Sequence, residues 1–330
     1  MTEIIPFADR LDGDHRTMLE MIPDDLLDLS ALDRMRERTD ALMVASAARQ
    51  PPVPGIRIED VVVPAEGDRP DLRLRFYIPE RLGLRAPLLL YIHGGGYVST
   101  KMRHYDAQCS QIADGADIVV ASIDYRLAPE HPYPIPVEDS YAALAWLHGV
   151  AAVRGFDPQR IGVGGTSAGA GLAAGVGLLA RDRGGYPVAF QYLEAPMLDH
   201  RNVTASSHEI DCPRVWNRKA NQGCWDAYLG ADHLERDIPP YASPAIAEDL
   251  SGLPPTYLCV AAFDLFLDET IDYARRLLLA GVSVQLNVFE MGFHGSPRMI
   301  PKAPVSIRWK ADALAALRRL SAPTPQSPEA

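Results

Sequence analysis

Six short, continuous apolar segments separated by helical patterns constrain the fold of this chain more than any other feature of its sequence. The apolar segments span residues 88–92, 118–123, 161–164, 187–193, 256–261 and 282–289. Strands that are apolar on both faces are typical of a buried parallel sheet. Helical patterns lie between them, at residues 104–114, 139–149, 168–181 and 269–280. The alternation predicts an α/β fold with a mostly parallel central sheet flanked by helices.

The N-terminal part of the chain has a different pattern. Residues 57–63 and 72–78 alternate apolar and polar side chains, which favours an antiparallel start of the sheet. Before them, residues 17–48 are predicted to form one or two helices, with Pro23 in a first turn. The proline-rich segment 50–55 is typical of a linker.

Composition excludes several classes of function. The 330 residues contain 32 Lys and Arg against 43 Asp and Glu, a formal net charge of −11, whereas nucleic-acid binding requires clustered basic residues. No apolar run approaches the roughly 18 residues of a membrane span. Four cysteines lack the spacing of a metal or redox site: Cys109, Cys212, Cys224 and Cys259. We expect them to be buried and reduced. We therefore expect a cytoplasmic protein without a metal, membrane span or nucleic-acid partner.

A serine between two glycines follows the predicted strand 161–164 and precedes the next predicted helix. In the motif Gly-Thr-Ser-Ala-Gly at 165–169, the small residues permit a sharp turn that exposes the hydroxyl of Ser167. A dinucleotide-binding loop that starts at Gly162 is excluded, because Ser167 occupies its third glycine position.

Upstream, the motif His-Gly-Gly-Gly at 93–96 ends another apolar strand. Its backbone N–H groups, completed by that of Ala168, are predicted to form an oxyanion hole.

A serine nucleophile requires a base and an orienting acid, which should each follow a late strand in the order acid, then histidine. Asp264 follows the apolar segment 256–261, and His294 follows the segment 282–289. Asp268 is a rival acid, but its position favours the start of the next helix. We therefore predict that Ser167, Asp264 and His294 meet at one edge of the sheet.

These motifs together resemble the hormone-sensitive-lipase-like branch of the α/β-hydrolases. The segments that carry the resemblance are HGGG at 93–96, DYRLAPEHP at 124–132, GTSAG at 165–169, DLFLDE at 264–269 and FHG at 293–295. Within this branch, QYLEAPMLDHR at 191–201 and FHGS at 293–296 most resemble bacterial acetyl esterases of the heroin-esterase type.

The resemblance implies an α/β-hydrolase fold and a role for each motif residue. Ser167 is the implied nucleophile, Asp264 the acid and His294 the base. The implied oxyanion hole consists of the N–H groups of Gly95, Gly96 and Ala168, with Gly94 as a further candidate. The family requires no cofactor and acts on small-molecule esters, and family habit suggests a homodimer.

The chain departs from the family pattern at three places. Thr166 stands where many members have Asp, Ala262 belongs to a pair that replaces a frequent Gly-Glu, and Ser296 replaces an aromatic residue. None of these changes removes a reacting group. They bear on the shape of the acyl pocket and on the support of the acid.

The resemblance also implies the domain organisation. We expect N-terminal cap helices and a linker over 1–55, a first part of the hydrolase body over 56–199 and an insert over 200–235 that completes the helical cap. The second part of the body is expected over 236–320, and a disordered tail over 321–330.

The expected activity is hydrolysis of short-chain, acetyl-like esters through an acyl-serine intermediate. An amidase or lactonase that uses the same three residues remains open, as does a receptor that binds a small ligand without catalysis. Trp216 and Trp225 are expected either to line the substrate entrance or to anchor packing.

Five polar residues outside the predicted site are expected to have other roles. Arg126, Glu130 and His131 are expected to be structural, and Glu194 and Asp199 to be solvated or structural.

Overall fold

An eight-stranded sheet forms the centre of the protein. The structure is a computed structural model that describes residues 7–47 and 50–323. The strands are β1 (Ile56–Val63), β2 (Leu72–Pro79), β3 (Ala86–Ile92), β4 (Val119–Asp124), β5 (Phe156–Thr166), β6 (Gln191–Glu194), β7 (Thr256–Phe263) and β8 (Val284–Phe293). Their order is β1-β2-β4-β3-β5-β6-β7-β8. Strand β2 pairs antiparallel with β1 and β4, and all other pairs are parallel, as predicted.

Ten α-helices are present in the described residues. They are α1 (Gly13–Met21), α2 (Leu32–Ala47), α3 (Asp106–Ala116), α4 (Ile135–Arg154), α5 (Ala168–Arg183), α6 (Ala205–Glu209), α7 (Arg218–Leu229), α8 (Leu267–Leu279), α9 (Ser296–Met299) and α10 (Pro304–Leu320). Short 3₁₀ helices span Phe7–Arg10, Leu29–Ala31, Met102–Tyr105 and Pro244–Ile246. None of the described helices is long and apolar enough to cross a membrane.

The sheet is buried on both faces, because successive side chains of each inner strand enter different cores. In β3, Leu88, Leu90 and Ile92 belong to the core beneath α4, α5 and α8. Leu89 and Tyr91 belong to the core beneath α3 and α10. All seven residues of β3 are buried, which explains the continuous apolar run.

Several element boundaries differ from the sequence prediction. The strand predicted at 187–193 is shorter and later, at Gln191–Glu194. Pro23 does not begin a helix but lies in the turn between α1 and α2. The insert over 200–235 contains helices α6 and α7, in agreement with the helical insert that the resemblance implies, although no local pattern located them. Helix α10 was missed. Most of the predicted disordered tail, residues 324–330, lies outside the described residues.

Candidate active site

Ser167 occupies a strained turn between β5 and α5. Its backbone has φ 57° and ψ −126°, a conformation that non-glycine residues rarely adopt and that is often found at functional sites. The flanking glycines are required by close backbone contacts. A Cβ on Gly165 would lie 2.2 Å from the carbonyl oxygen of Ile92, and a Cβ on Gly169 2.1 Å from the same oxygen. The turn therefore packs directly against the end of β3.

The fold brings Ser167, His294 and Asp264 together in one hydrogen-bonded chain. Nε2 of His294 lies 2.9 Å from Oγ of Ser167, and Nδ1 of His294 lies 2.8 Å from Oδ2 of Asp264. All three residues follow the carboxyl ends of strands β5, β7 and β8, the edge where parallel sheets place their sites. In this arrangement Nδ1–H of the histidine can donate to the carboxylate while Nε2 accepts the serine proton.

Asp264 is fixed by its surroundings. Its side chain is 1% exposed, and its Oδ1 accepts a hydrogen bond of 3.0 Å from the backbone N–H of Phe266. The rival acid, Asp268, lies in the first turn of α8, as predicted, and accepts a 2.7 Å hydrogen bond from the N–H of Ser206. Asp268 therefore binds the insert through Ser206, whereas Asp264 is the carboxylate that binds His294.

The glycine loop lies against the serine turn in a conformation that only glycine adopts easily. Gly95 and Gly96 have φ +106° and +61°, and a Cβ on Gly95 would lie 2.3 Å from the carbonyl oxygen of Ser99. A Cβ on Gly94 would lie 2.9 Å from the carbonyl oxygen of Thr166. The amide N–H groups of Gly95, Gly96 and Ala168 donate no hydrogen bond to any atom of the described residues, so they can receive an anionic oxygen.

An aromatic stack supports the glycine loop from behind. The ring of His93 stacks between those of Tyr105 and Tyr125, with centroid distances of 5.8 and 4.4 Å. Burial lowers the pKa of His93 to about 4, so the ring is neutral at physiological pH. The hydroxyl of Thr100 donates to the carbonyl of Gly94 at 2.6 Å. Tyr105 and Thr100 were not predicted, because only the folded chain brings them to the loop.

A cavity of about 230 Å³ opens above the reacting groups. Ser167, Asp264 and His294 line it together with Gly95 and Thr166. Apolar side chains from residues 26–43 and 215–216 form much of its remaining wall: Leu26, Leu27, Met35, Leu42, Met43, Val215 and Trp216. The N-terminal segment and the insert therefore both contribute to the substrate space.

The two tryptophans of the insert have different positions. Trp216 lines the cavity, with its ring centroid 6.0 Å from that of His294. Trp225 is fully buried and packs against Tyr97 and Tyr228. Trp216 thus belongs to the wall of the cavity and Trp225 to the core.

The acidic residues Glu194, at the end of β6, and Asp199, in the segment that follows it, are not solvated. Glu194 is buried and its Oε2 accepts hydrogen bonds from the hydroxyl of Tyr192 at 2.8 Å and from Nε2 of Gln108 at 3.1 Å. Burial raises the pKa of Glu194. Asp199 is also buried and pairs with Arg201 at 2.7 Å. Glu194 lines the cavity, which its expected role did not include.

The residues with predicted structural roles tie neighbouring loops together. Arg126 pairs with Asp139 at 2.6 Å, and Glu130 pairs with Arg36 of α2 at 2.6 Å. The N–H of His131 donates to the carbonyl of Leu127 at 2.8 Å.

The departures from the family pattern have structural counterparts. Oγ of Ser296 accepts a 3.2 Å hydrogen bond from the N–H of Phe293, which holds the turn that carries His294. Beside Ala262, the N–H of Asp264 donates to the carbonyl of Ala261. This backbone hydrogen bond does not depend on the side chain of Ala261.

Within the described residues, no group of three or more His, Cys, Asp or Glu side chains is arranged to hold a metal ion. Cys109, Cys224 and Cys259 are buried, Cys212 is partly exposed, and all four are free thiols.

Comparison with known proteins identifies the family. A family model described as the alpha/beta hydrolase fold matches residues 89–298. The solved structure of a bacterial heroin esterase has a TM-score of 0.92 and 41% identity, covering 96% of this chain and all of that one. Esterase LipI of Mycobacterium tuberculosis is 35% identical over 304 residues, 91% of this chain and 92% of LipI. Carboxylesterase NlhH of the same organism is 36% identical over 273 residues, 81% of this chain and 84% of NlhH.

The comparisons agree with the fold and with the family that the motifs resemble. The chain therefore belongs to the α/β-hydrolase family, in its hormone-sensitive-lipase-like branch, and is a carboxylic ester hydrolase.

Proposed function

We propose that Ser167, His294 and Asp264 are a catalytic triad that hydrolyses short-chain, acetyl-like esters through an acyl-serine intermediate. The observation that carries the proposal is the continuous chain of hydrogen bonds from Asp264 through His294 to Oγ of Ser167. A complete triad also argues against a receptor that binds its ligand without catalysis, because such a protein needs no activated nucleophile.

In the acylation half, Oγ of Ser167 attacks the ester carbonyl while Nε2 of His294 takes its proton. Asp264 holds the imidazole in the tautomer with a proton on Nδ1 and stabilises the imidazolium that forms. The carbonyl oxygen becomes an anion that receives hydrogen bonds from the N–H groups of Gly95, Gly96 and Ala168. Collapse of the tetrahedral intermediate breaks the ester C–O bond, and His294 returns the proton to the leaving alcohol.

In the deacylation half, His294 removes a proton from a water molecule that attacks the acyl-serine carbonyl. The same backbone donors hold the second oxyanion. Its collapse breaks the bond to Oγ, which regains its proton from His294, and the carboxylic acid leaves. The residues of this chain supply every proton transfer in the cycle.

We further propose that the N-terminal segment, residues 1–55, and the insert, residues 200–235, form a cap that limits the acyl chain. Both segments contribute apolar walls to the cavity. The volume beside Ser167 is about 230 Å³, below the roughly 300–1,000 Å³ of pockets for drug-sized ligands, which favours small acyl groups there. The adjoining cavity of about 360 Å³ has none of Ser167, Asp264 and His294 in its walls and is not counted in this volume.

Hydrolysis of p-nitrophenyl esters from acetate to laurate tests these proposals. We expect kcat/KM to be highest for acetate or butyrate, and Ser167→Ala to lower kcat by at least about 10³-fold. Thr39→Val, which removes a hydroxyl elsewhere in the same cavity and keeps the side-chain shape, is the control and should retain more than about a tenth of the activity. Faster cleavage of laurate than of acetate would refute the short-chain preference. Equal rates for Ser167→Ala and the wild type would refute the triad.

A further inference from the structure

One cation beside the reacting groups has no acidic partner. Arg298 in α9 lines the cavity that contains Ser167, and its guanidinium carbon lies 4.1 Å from the ring centroid of Tyr105. Its Nη2 lies within hydrogen-bond distance of the carbonyl oxygen of His104, at 3.3 Å, and of Sδ of Met43, at 3.4 Å. Among the described residues it forms no ion pair within 4.0 Å, and its Nε and Nη1 make no hydrogen bond.

This arrangement differs from that of the other arginine in the cavity. Arg214 also lines the cavity, but it pairs with Asp24 at 2.5 Å and donates to the carbonyls of Leu19 and Glu20. Arg214 therefore has structural partners that account for its charge. Arg298 has an aromatic face, a sulfur and a single carbonyl, which leave three of its five N–H groups without an acceptor in the described residues.

Arg298 also lines a second, adjoining cavity of about 360 Å³. The two cavities share Met43, Glu194, Pro297, Arg298 and Trp309 in their walls. Lys302 and Lys310 lie on the second cavity, so the basic side chains around it outnumber Glu194, its one acidic lining residue among those described. A chain with a net charge of −11 thus presents a locally positive region next to its nucleophile.

Glu194 does not neutralise Arg298 directly. Its Oε2 is occupied by Tyr192 and Gln108. Burial raises the pKa of Glu194 and the positive charge of Arg298 lowers it, so the two groups attract each other without forming an ion pair within 4.0 Å.

We propose that Arg298 selects esters that carry a carboxylate group in addition to the ester bond, by donating its unused N–H groups to that carboxylate. A partly buried guanidinium with free donors is well suited to a carboxylate, and charge-assisted bonds of this type are stronger than neutral ones. The inference rests on the proposed esterase function and adds a substrate class to it. The carboxylate can belong to the acyl part, as in a half-ester of a dicarboxylic acid, or to the alcohol part, as in an acetylated hydroxy acid.

Two isosteric substrate pairs test this inference by titration of released acid. On the acyl side, monomethyl succinate is compared with methyl levulinate, in which a methyl ketone replaces the carboxylate. On the alcohol side, acetoxyacetate is compared with acetoxyacetone. We expect the wild type to favour the charged member of at least one pair in kcat/KM, and the pair that shows this preference identifies the part of the ester that Arg298 contacts.

The variant Arg298→Gln should lower the charged-to-neutral ratio of that pair by at least about tenfold, as expected for loss of a charged hydrogen bond. Arg298→Lys should retain part of the preference, because it keeps the charge. The matched control Arg214→Met should leave the ratio within about threefold of the wild type. Thermal unfolding checks that each variant is folded.

The inference is overturned if the wild type favours the neutral member of both pairs, a result that needs no variant. It is also overturned if Arg298→Gln changes neither ratio by more than about threefold. Failure of the proposed function is separate, since it would appear as absence of Ser167-dependent hydrolysis of the neutral esters as well.

Discussion

The sheet edge that carries the reacting groups and the segments that cover it, residues 7–47 and 200–235, are built by different means. At the sheet edge, close backbone contacts fix the turn that carries Ser167. A Cβ on Gly169, for example, would lie 2.1 Å from the carbonyl oxygen of Ile92 in β3. The covering segments pack on the body through buried side chains such as Met35 and Trp225, and arginine ion pairs add contacts between segments. Arg36 of α2 pairs with Glu130, and Arg214 of the insert pairs with Asp24.

This difference separates two tasks of the molecule. Close packing leaves the sheet edge few alternative conformations, which suits groups that must keep a geometry within tenths of an ångström. Ion pairs between partly exposed side chains are weak, so loss of one should loosen a covering segment at the cavity without unfolding it. Substitutions at the sheet edge should therefore alter the rate, and those in the covering segments should alter selectivity and stability.

The largest expected effect comes from the acid of the triad, where two aspartates four residues apart can be compared. Asp264→Asn keeps the side-chain shape but favours the wrong imidazole tautomer of His294, and kcat for p-nitrophenyl acetate should fall by about 10⁴-fold. Asp268→Asn instead weakens the bond to the N–H of Ser206 and should cost about 1 kcal/mol of unfolding free energy. Steady-state kinetics and urea denaturation measure the two effects. If Asp268→Asn lost more activity than Asp264→Asn, the assignment of the acid would be wrong.

The sheet edge was also the part that the sequence predicted best. Burial on both faces leaves an apolar run, as in β3, and glycine is required wherever backbones touch, as at Gly165 and Gly169. Because such constraints fix residue types within short segments of the chain, the motifs pointed to Ser167, Asp264 and His294, which the fold brings together.

The covering segments were predicted less well, because long-range contacts determine their conformation. Nothing local distinguishes Trp216, which lines the cavity, from Trp225, which is fully buried. The charge of Arg298 is visible in the sequence, but its lack of an acidic partner is not. Helix α7 has a capping residue, Asn217, whose side chain accepts from the N–H of Ala220, a signal that could have predicted the helix start.

A pH effect is expected at the junction between the insert and the body, where His200 is buried. Its Nδ1 lies 2.9 Å from Oγ of Ser243, and its ring contacts those of Trp225 and His233. Burial lowers the pKa of His200 from 6.5 to about 4. Between these values the unfolded chain binds more protons than the folded one, so stability falls as the pH falls through this window.

The variant His200→Gln should remove this dependence. Between pH 7.5 and pH 5, the wild type should lose about 2 kcal/mol more unfolding free energy than the variant, as measured by urea denaturation at each pH. His208→Gln changes an exposed histidine of the same insert and should behave like the wild type. Parallel pH profiles for His200→Gln and the wild type would show that folding does not lower the pKa of His200.

The smallest expected effect comes from the attachment of α2, where two arginines on the same helix can be compared. Arg36 donates to the carbonyls of Val98 and Ala128 at 2.7 and 2.9 Å and pairs with Glu130, whereas Arg34 is exposed. Arg36→Met should lower the unfolding free energy by about 1 kcal/mol and raise KM for acetyl esters about two- to threefold, because α2 forms a wall of the cavity. The same loosening should improve hydrolysis of hexanoate relative to acetate, with kcat for acetate changed less than KM.

Arg34→Met should leave KM and the acyl-chain profile unchanged. If the two variants gave the same KM and profile, the ion pairs of α2 would not shape the cavity, and the acyl-chain limit would depend on the sheet edge.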